Sequence, residues 1–423
     1  MTATDQGRSL GMKLLTHMLR KFIRRGTLRV IEADGHLTEI VGTEAPVATI
    51  RLYDSSLPLK LFRNPELYAG EAYMDGTLTF EDCTLEDFLG LFSINRATIA
   101  NYPLQSVLRS ISKLLRTFQQ HNPIGRAQQN VSHHYDLSEE LYRLFLDEDM
   151  QYSCAYFENG DETLEEAQEK KKRHIAAKLR LEDGQKILDI GCGWGGMALY
   201  LARCANVEVL GVTLSEEQHR VAVERARAAG LEDRVRFELR DYRHVNERFD
   251  RIVSVGMFEH VGVSRYDEFF GKAFELLTED GVGLLHSIGH MSPPSTASPW
   301  MRKYIFPGAY SPALSEVFAA TERQHLWISD VEVLRVHYAD TLVEWNRRFQ
   351  ANRERVAELY DERFCRMWEF YLISAETMFR TGAQMVFHLQ FARNRDAAQL
   401  TRDYMFETEN GYRSREQQQS NAA

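Results

Sequence analysis

The chain has 423 residues, 44% of them apolar and 26% charged, with a formal net charge of −10. That length suits two or three domains with ample core, and the composition excludes global disorder. The acidic balance excludes a protein whose whole surface binds nucleic acid.

Five cysteines (Cys83, Cys154, Cys192, Cys204, Cys365), an odd number with no CxxC pair, argue against a disulfide framework or zinc ribbon and for a reducing cytoplasm. The opening MTATDQGRSLGMKLL lacks the apolar core and cleavage site of a signal peptide, and no run of about 18 apolar residues spans a bilayer. A soluble cytoplasmic protein is expected. Charge is uneven, however. Residues 1–30 carry seven basic side chains against Asp5 alone, and residues 96–126 carry five with no acid, which suggests a local anionic partner.

In chain order, residues 12–25 (MKLLTHMLRKFIRR) have helical apolar spacing with Lys13, Arg20, Lys21 and Arg24 opposite. LRVIEADG and VATIRLYD read as short strands, and helices are expected through PELYAGEAYMDG and LEDFLGLF. Residues 103–118 (PLQSVLRSISKLLRTF) form a second basic amphipathic helix, followed by the polar stretch QQHNPIGRAQQN. Both basic helices are expected to touch an anionic membrane surface. From about residue 185 strands and helices alternate: KILDI, GGMALYLARC, VEVLGVTL, SEEQHRVAVERARAAG, VRFELRD, FDRIVSV, YDEFFGKAFELL and GVGLLHSI. This is the pattern of a mostly parallel sheet covered on both faces. DVEVLRVHY (330–338) and AQMVFHLQFAR (383–393) are expected as later strands, the last antiparallel, with long helices such as TLVEWNRRFQANRERVAEL between them.

Gly191-Cys192-Gly193-Trp194-Gly195-Gly196 lies between a strand and a helix, where glycines admit close backbone approach and a helix N-terminus faces a ligand. The spacing formally fits a dinucleotide turn. Against that reading stand Asp189, two residues before the first glycine, and Thr213-Leu214-Ser215 where an acid would end the second strand. The combination favours S-adenosylmethionine (SAM) over a nicotinamide or flavin.

QYSCAYF (151–157), LDIGCGWGG (188–196), GVTLSEEQ (211–218), DRIVSVGMFEHVG (250–262), LLHSIG (284–289) and KYIFPG (303–308) occur in that order. Together they resemble the cyclopropane-fatty-acyl-phospholipid synthase family, similar also to the mycolic acid cyclopropane synthases, over about residues 126–400. The first hundred residues resemble the N-terminal domain of the bacterial phospholipid enzymes. The resemblance implies a class I SAM-methyltransferase α/β fold with a smaller N-terminal α+β domain. It implies SAM contacts from Tyr152, Ser153, Asp189, Gly191 and Gly193, with Thr213, Ser215 and Gln218 taking the ribose and methionine contacts. It further implies a bicarbonate ion held by Cys154, Glu259, His286, the Ile288 backbone and Tyr338, unsaturated phospholipid as substrate, and a homodimer on the inner face of the membrane.

The chemistry asks for such a set. Methyl transfer to a neutral alkene leaves a carbocation, and ring closure removes a proton from the new methyl group, so the site must exclude water and place one weak base. Taken alone, Cys154 beside two tyrosines reads as packing, His286 as a satisfied core histidine, and Glu259-His260 as a cap or pair at a strand end. A metal site from His133, His134, Glu259, His260 or His286 lacks HExxH-type spacing, and none is expected. The aromatics of 364–379 read first as core, although a pocket for an acyl chain must also be apolar. The expected organisation is a lipid-associated domain at 1–100, a basic linker helix at 101–126 and a catalytic domain at 127–423. The expected product is a cyclopropane fatty acid. A methyl-branched or methylene product, or a lipid-binding protein with a vestigial methyltransferase fold, is the alternative.

Overall fold

The computed structural model describes residues 9–100 and 137–422, and the chain divides into two compact units. The first unit draws on 9–100, 295–307 and 345–383, the second on 137–294, 308–344 and 384–422. The catalytic stretch expected to run unbroken from 127 to 423 is therefore interrupted twice. The reason is aromatic packing within the first unit. Trp300 is buried with its ring against Gly70 and its Nε1–H 3.3 Å from Met74 Sδ, and Phe370 lies 4.7 Å from Trp300 and 6.0 Å from Tyr73 between ring centroids. The aromatic stretch left open between core and pocket supplies buried Trp368, Phe370 and Tyr371 to this unit. The expected linker helix and His133-His134 lie outside the described residues.

In the first unit the helix Leu10–Phe22 is N-capped by Ser9, which accepts from the Met12 N–H, and buries Met12, Leu15, Met18, Leu19 and Phe22. These five side chains thus belong to the core, not to a membrane, while Lys13, Arg20 and Lys21 are exposed, as are Leu10 and His17. The helix stops short of Arg24 and Arg25, whose N–H groups are accepted by Asn95 Oδ1. Four strands, β1 (Thr27–Ile31), β2 (Leu37–Val41), β3 (Val47–Leu52) and β4 (Leu78–Phe80), pair in the order β2-β1-β3-β4. β2 and β4 are short and were not expected. β2 alternates buried and exposed residues and closes a hairpin with β1.

In the second unit β5 (Lys186–Ile190), β6 (Glu208–Thr213), β7 (Val235–Leu239), β8 (Phe249–Val255), β9 (Leu277–His290), β10 (Trp327–Val333) and β11 (Gln384–Ala392) form a sheet in the order β10-β11-β9-β8-β5-β6-β7. β5 to β9 are mutually parallel, while β11 runs antiparallel to both β9 and β10. The order reverses between β5 and β8, and open α/β sheets hold their ligands outside the carboxyl ends of the strands at such a point. β10 ends five residues earlier than expected. Tyr338, Leu342, Trp345 and Phe349 are buried at helical spacing, and His337–Ala351 is a helix.

The helix Leu164–Leu179 decides what lies on one face of this sheet. Thr163 and Glu166 close a capping box at its start. Its buried side carries Gln168, Lys171, His174 and Lys178, spaced so that one helix face receives them all.

Candidate active site

At the carboxyl ends of β5, β6 and β8 a cleft encloses about 1280 Å³, its open mouth included. Tyr152, Ser153, Asp189, Gly191, Gly193, Thr213 and Gln218 line it, as do Arg240, Asp241 and His260. Gly191 and Gly193 have φ of 80° and 53°. A Cβ on Gly191 would stand 2.7 Å from Met257 Cβ, and one on Gly193 would stand in the open cleft on a backbone that side chains disfavour. Thr213 donates to Gln218 Oε1 at 3.0 Å, and both residues line the cleft. Ser215 does not line the cleft. Its hydroxyl caps the helix Glu216–Ala228 by accepting from the Gln218 N–H at 3.3 Å, so it acts on the wall through Gln218.

Asp189 is buried, and its Oδ2 has no protein partner. Burial, opposed by the charge of Lys171, pushes its carboxyl up to about 7. Asp241 is held differently. Arg243 pairs with it at 2.6 Å and keeps it below the usual carboxylate range despite burial.

Behind the cleft, four further segments supply buried functional groups. Cys154 is buried, and burial drives its thiol far up, against the charge of Lys171 and a hydrogen bond with Thr341. The Cys154 loop is tied to the start of the His337–Ala351 helix: Ala155 N–H donates to Thr341 Oγ1 at 3.0 Å and Phe157 N–H to His337 Nδ1 at 3.1 Å. Tyr338 is buried in that first turn. Glu259 follows β8 and accepts the Ile288 N–H on Oε1 at 2.6 Å, while its Oε2 is buried without a protein partner. Burial pushes this carboxyl up to about 7, against the bonds from Ile288 and Ser287. The Ile288 N–H is therefore committed to Glu259. His286 lies two residues earlier on β9, its Nδ1 2.8 Å from His388 Nε2.

Sequence reading missed Lys171. It is wholly buried, donates to Gln151 Oε1 and to Ser153 Oγ, and places its charge among Asp189, Cys154 and His286. Burial brings its ammonium down to about 8, against the pull of Asp147. The signal that could have found it is that Leu164, Ala167, Lys171 and Lys178 share the spacing of one stripe. Asp241 was missed too, although the reading RFELRD ended at it.

A family model described as mycolic acid cyclopropane synthetase matches residues 123–389. The chain is 38% identical over 351 residues to the cyclopropane-fatty-acyl-phospholipid synthase of Escherichia coli, covering 82% of this chain and 88% of that one. It is 32% identical to the tuberculostearic acid methyltransferase of Mycobacterium tuberculosis, over 87% and 88% of the two chains. A mycolic acid cyclopropane synthase solved with SAH and CTAB is 36% identical and aligns with a TM-score of 0.60, covering 62% of this chain and 97% of its own. With the glycine turn after β5 and the parallel sheet that carries it, these matches make the chain a SAM-dependent methyltransferase of class I fold, and it belongs to the cyclopropane-fatty-acyl-phospholipid and mycolic acid cyclopropane synthase family.

Proposed function

We propose that this enzyme adds the SAM methyl carbon across a cis double bond of an unsaturated phospholipid acyl chain and closes it to a cyclopropane. One observation carries the reading. Beside the cleft at the strand ends, Glu259 keeps a buried oxygen without a protein partner, and Cys154, His286 and Tyr338 are buried with it in the same unit. Buried polar atoms left unpaired are costly and mark a place meant for a ligand.

In this reading Gly191 and Gly193 let the main chain approach the methionine and ribose, and Thr213 and Gln218 bind hydroxyls. Asp189 Oδ2 accepts from an amine, and Asp241 accepts from the adenine side. The alkene pair forms the new C–C bond as the sulfonium C–S bond breaks, leaving SAH and a carbocation on the lipid. Ring closure uses the electron pair of a methyl C–H bond, so its proton must be taken up beside the cation. Cys154, His286 and Tyr338 offer donors suited to a small anion, and Glu259, protonated in part near neutral pH, offers one more. Bound there, a bicarbonate ion supplies the proton acceptor. Burial keeps water from the cation. Ile288 contributes indirectly, by holding Glu259.

The exposed basic face of Leu10–Phe22 supports attraction to anionic lipid at the cytoplasmic surface, at roughly 1 kcal/mol per cation near the bilayer. Among the described residues no helix is long and apolar enough to cross a membrane. Salt-sensitive co-sedimentation with anionic vesicles tests that attachment; binding indifferent to salt would oppose it. Chemical cross-linking tests the homodimer.

The deciding experiment is mass spectrometry of phospholipid incubated with SAM. A product heavier by one CH2 and lacking the alkene supports cyclopropanation. A gain of one CH2 plus two hydrogens would replace it with the methyl-branched reading, and an unchanged lipid would overturn both.

A further inference from the structure

The register of three neighbouring strands sets a polar row across the sheet. His286 of β9 lies opposite His388 of β11, and His388 lies opposite Glu332 of β10. Side chains opposite one another share a sheet face, and the helix Leu164–Leu179 covers this one with His174 and Lys178. Lys178 Nζ bonds Glu332 Oε2, lies 3.7 Å from Asp330 Oδ1, and is 3.3 Å from His388 Nδ1. His174 spans Glu332 at 2.7 Å and Glu409 at 3.0 Å.

We propose that Lys178 and His388 are positioning residues that fix the ring tautomer of His286, so that His286 presents its Nε2–H to the small anion proposed above, whose site is the reacting corner. The proposal rests on the role given above to His286, and it follows from counting donors. An ammonium has donors and no acceptor, so at His388 Nδ1 it is the ring that accepts. A neutral imidazole whose Nδ1 accepts carries its proton on Nε2. His388 Nε2 is 2.8 Å from His286 Nδ1, so it donates there. His286 Nδ1 is then the acceptor, and the His286 proton sits on Nε2, the nitrogen turned away from His388. The two bonds that reach His286, from Lys178 to His388 and from His388 to His286, thus point the same way.

Both rings are neutral for a stated reason: each is wholly buried, and burial together with the nearby Lys171, Lys178 and His174 charges holds them well below the usual histidine range. His174 is the contrasting case. Two carboxylates hold it above that range although burial opposes them. The N and O atoms of His174, Glu332 and His388 lie within 4.8 Å of one another, as a metal would require. Lys178 already brings a cation to that group, which disfavours a second. The direction matters chemically. An Nε2–H attracts an anion's oxygen, whereas the opposite tautomer would aim a lone pair at it.

The test is nitrogen NMR of the full chain labelled at histidine rings, with signals assigned from His286→Phe and His388→Phe variants. In the wild type, at neutral pH and without added anion, His286 and His388 should each show a protonated Nε2 and an unprotonated Nδ1. His388→Leu, which removes the donor, should give His286 a tautomer mixture and lower turnover at least about tenfold with little change in SAM affinity. His388→Gln, whose amide still donates, should restore both. Lys178→Met should mix the His388 tautomers and Lys178→Arg should not; if Lys178→Met fails to fold, the His388 pair decides alone. A proton on His286 Nδ1, a charged His286 ring, or a tautomer unmoved by His388→Leu would overturn the proposal. A tautomer that shifts as expected with turnover unmoved would instead uphold the positioning and overturn the proposed role of His286.

Discussion

At the glycine turn the cleft wall is main chain, with φ of 80° at Gly191 and 53° at Gly193 and no side chain to fill the space at Gly193. In the reacting corner proposed for the lipid the groups are side chains. Cys154, Glu259, His286 and Tyr338 come from four segments, with His388 bonded to His286 and Lys178 to His388. The first region is specified within a few consecutive residues, because a turn's backbone conformation is a local property. The second exists only when strands and a helix bring distant residues together. It consists of polar groups that are tolerable in a core only when partnered. A substitution in the cleft should therefore act on binding, and one in the corner on turnover.

The largest effect is expected where the main chain itself is the binding surface. Gly193→Val places a β-branched side chain in the cleft on a left-handed backbone, so SAM affinity should fall at least about a hundredfold, near 2.7 kcal/mol. Calorimetric titration measures this while circular dichroism shows the fold retained, and an unchanged affinity would break the cleft half of the comparison.

Next comes the corner. Glu259→Ala and His286→Ala should each lower turnover at least about tenfold, a barrier increase near 1.4 kcal/mol, with SAM affinity nearly untouched. Removing bicarbonate from the buffer should slow the wild type, and adding it back should restore the rate. Full turnover in both variants, or indifference to bicarbonate, would leave the corner a structural core.

A third experiment sharpens the corner by pH. The Glu259 carboxyl is raised from an ordinary 4.5 to about 7, so it holds its proton more tightly folded than unfolded. Stability is thereby lost as pH climbs through that window. Glu259→Gln keeps an acceptor for the Ile288 N–H and does not titrate. The Tm of the variant relative to wild type should therefore rise from pH 4.5 to pH 7 and level off above. A difference independent of pH would mean that Glu259 ionises as an exposed carboxylate does.

The smallest effect separates a wall from its support. Ser215→Ala removes a helix cap and should lower stability by about 1 kcal/mol, while SAM affinity changes only a few-fold. A loss of affinity as large as that of Gly193→Val would put Ser215 in direct contact with SAM.

The sequence by itself determined the alternation of strands and helices from KILDI onward, the glycine turn, and the antiparallel final strand, now β11 at Gln384–Ala392. These follow from periodicity and from short-range turn chemistry, and both are written in neighbouring residues. Motif resemblance proposed the residues of the corner, and only the tertiary structure decided what touches them. The Ile288 N–H goes to Glu259, Ser215 stands behind the cleft wall, and segments 295–307 and 345–383 join the first unit through Trp300 and Phe370. The buried row of Gln168, Lys171, His174 and Lys178 was hidden for a further reason. Polar residues are ordinarily read as solvated, and their burial becomes acceptable only through partners: Glu332 of β10 and His388 of β11, more than a hundred residues away, for His174 and Lys178, and Gln151 and Ser153 for Lys171 and Gln168. Pairing across such distances is a property of the folded sheet, and no local pattern encodes it.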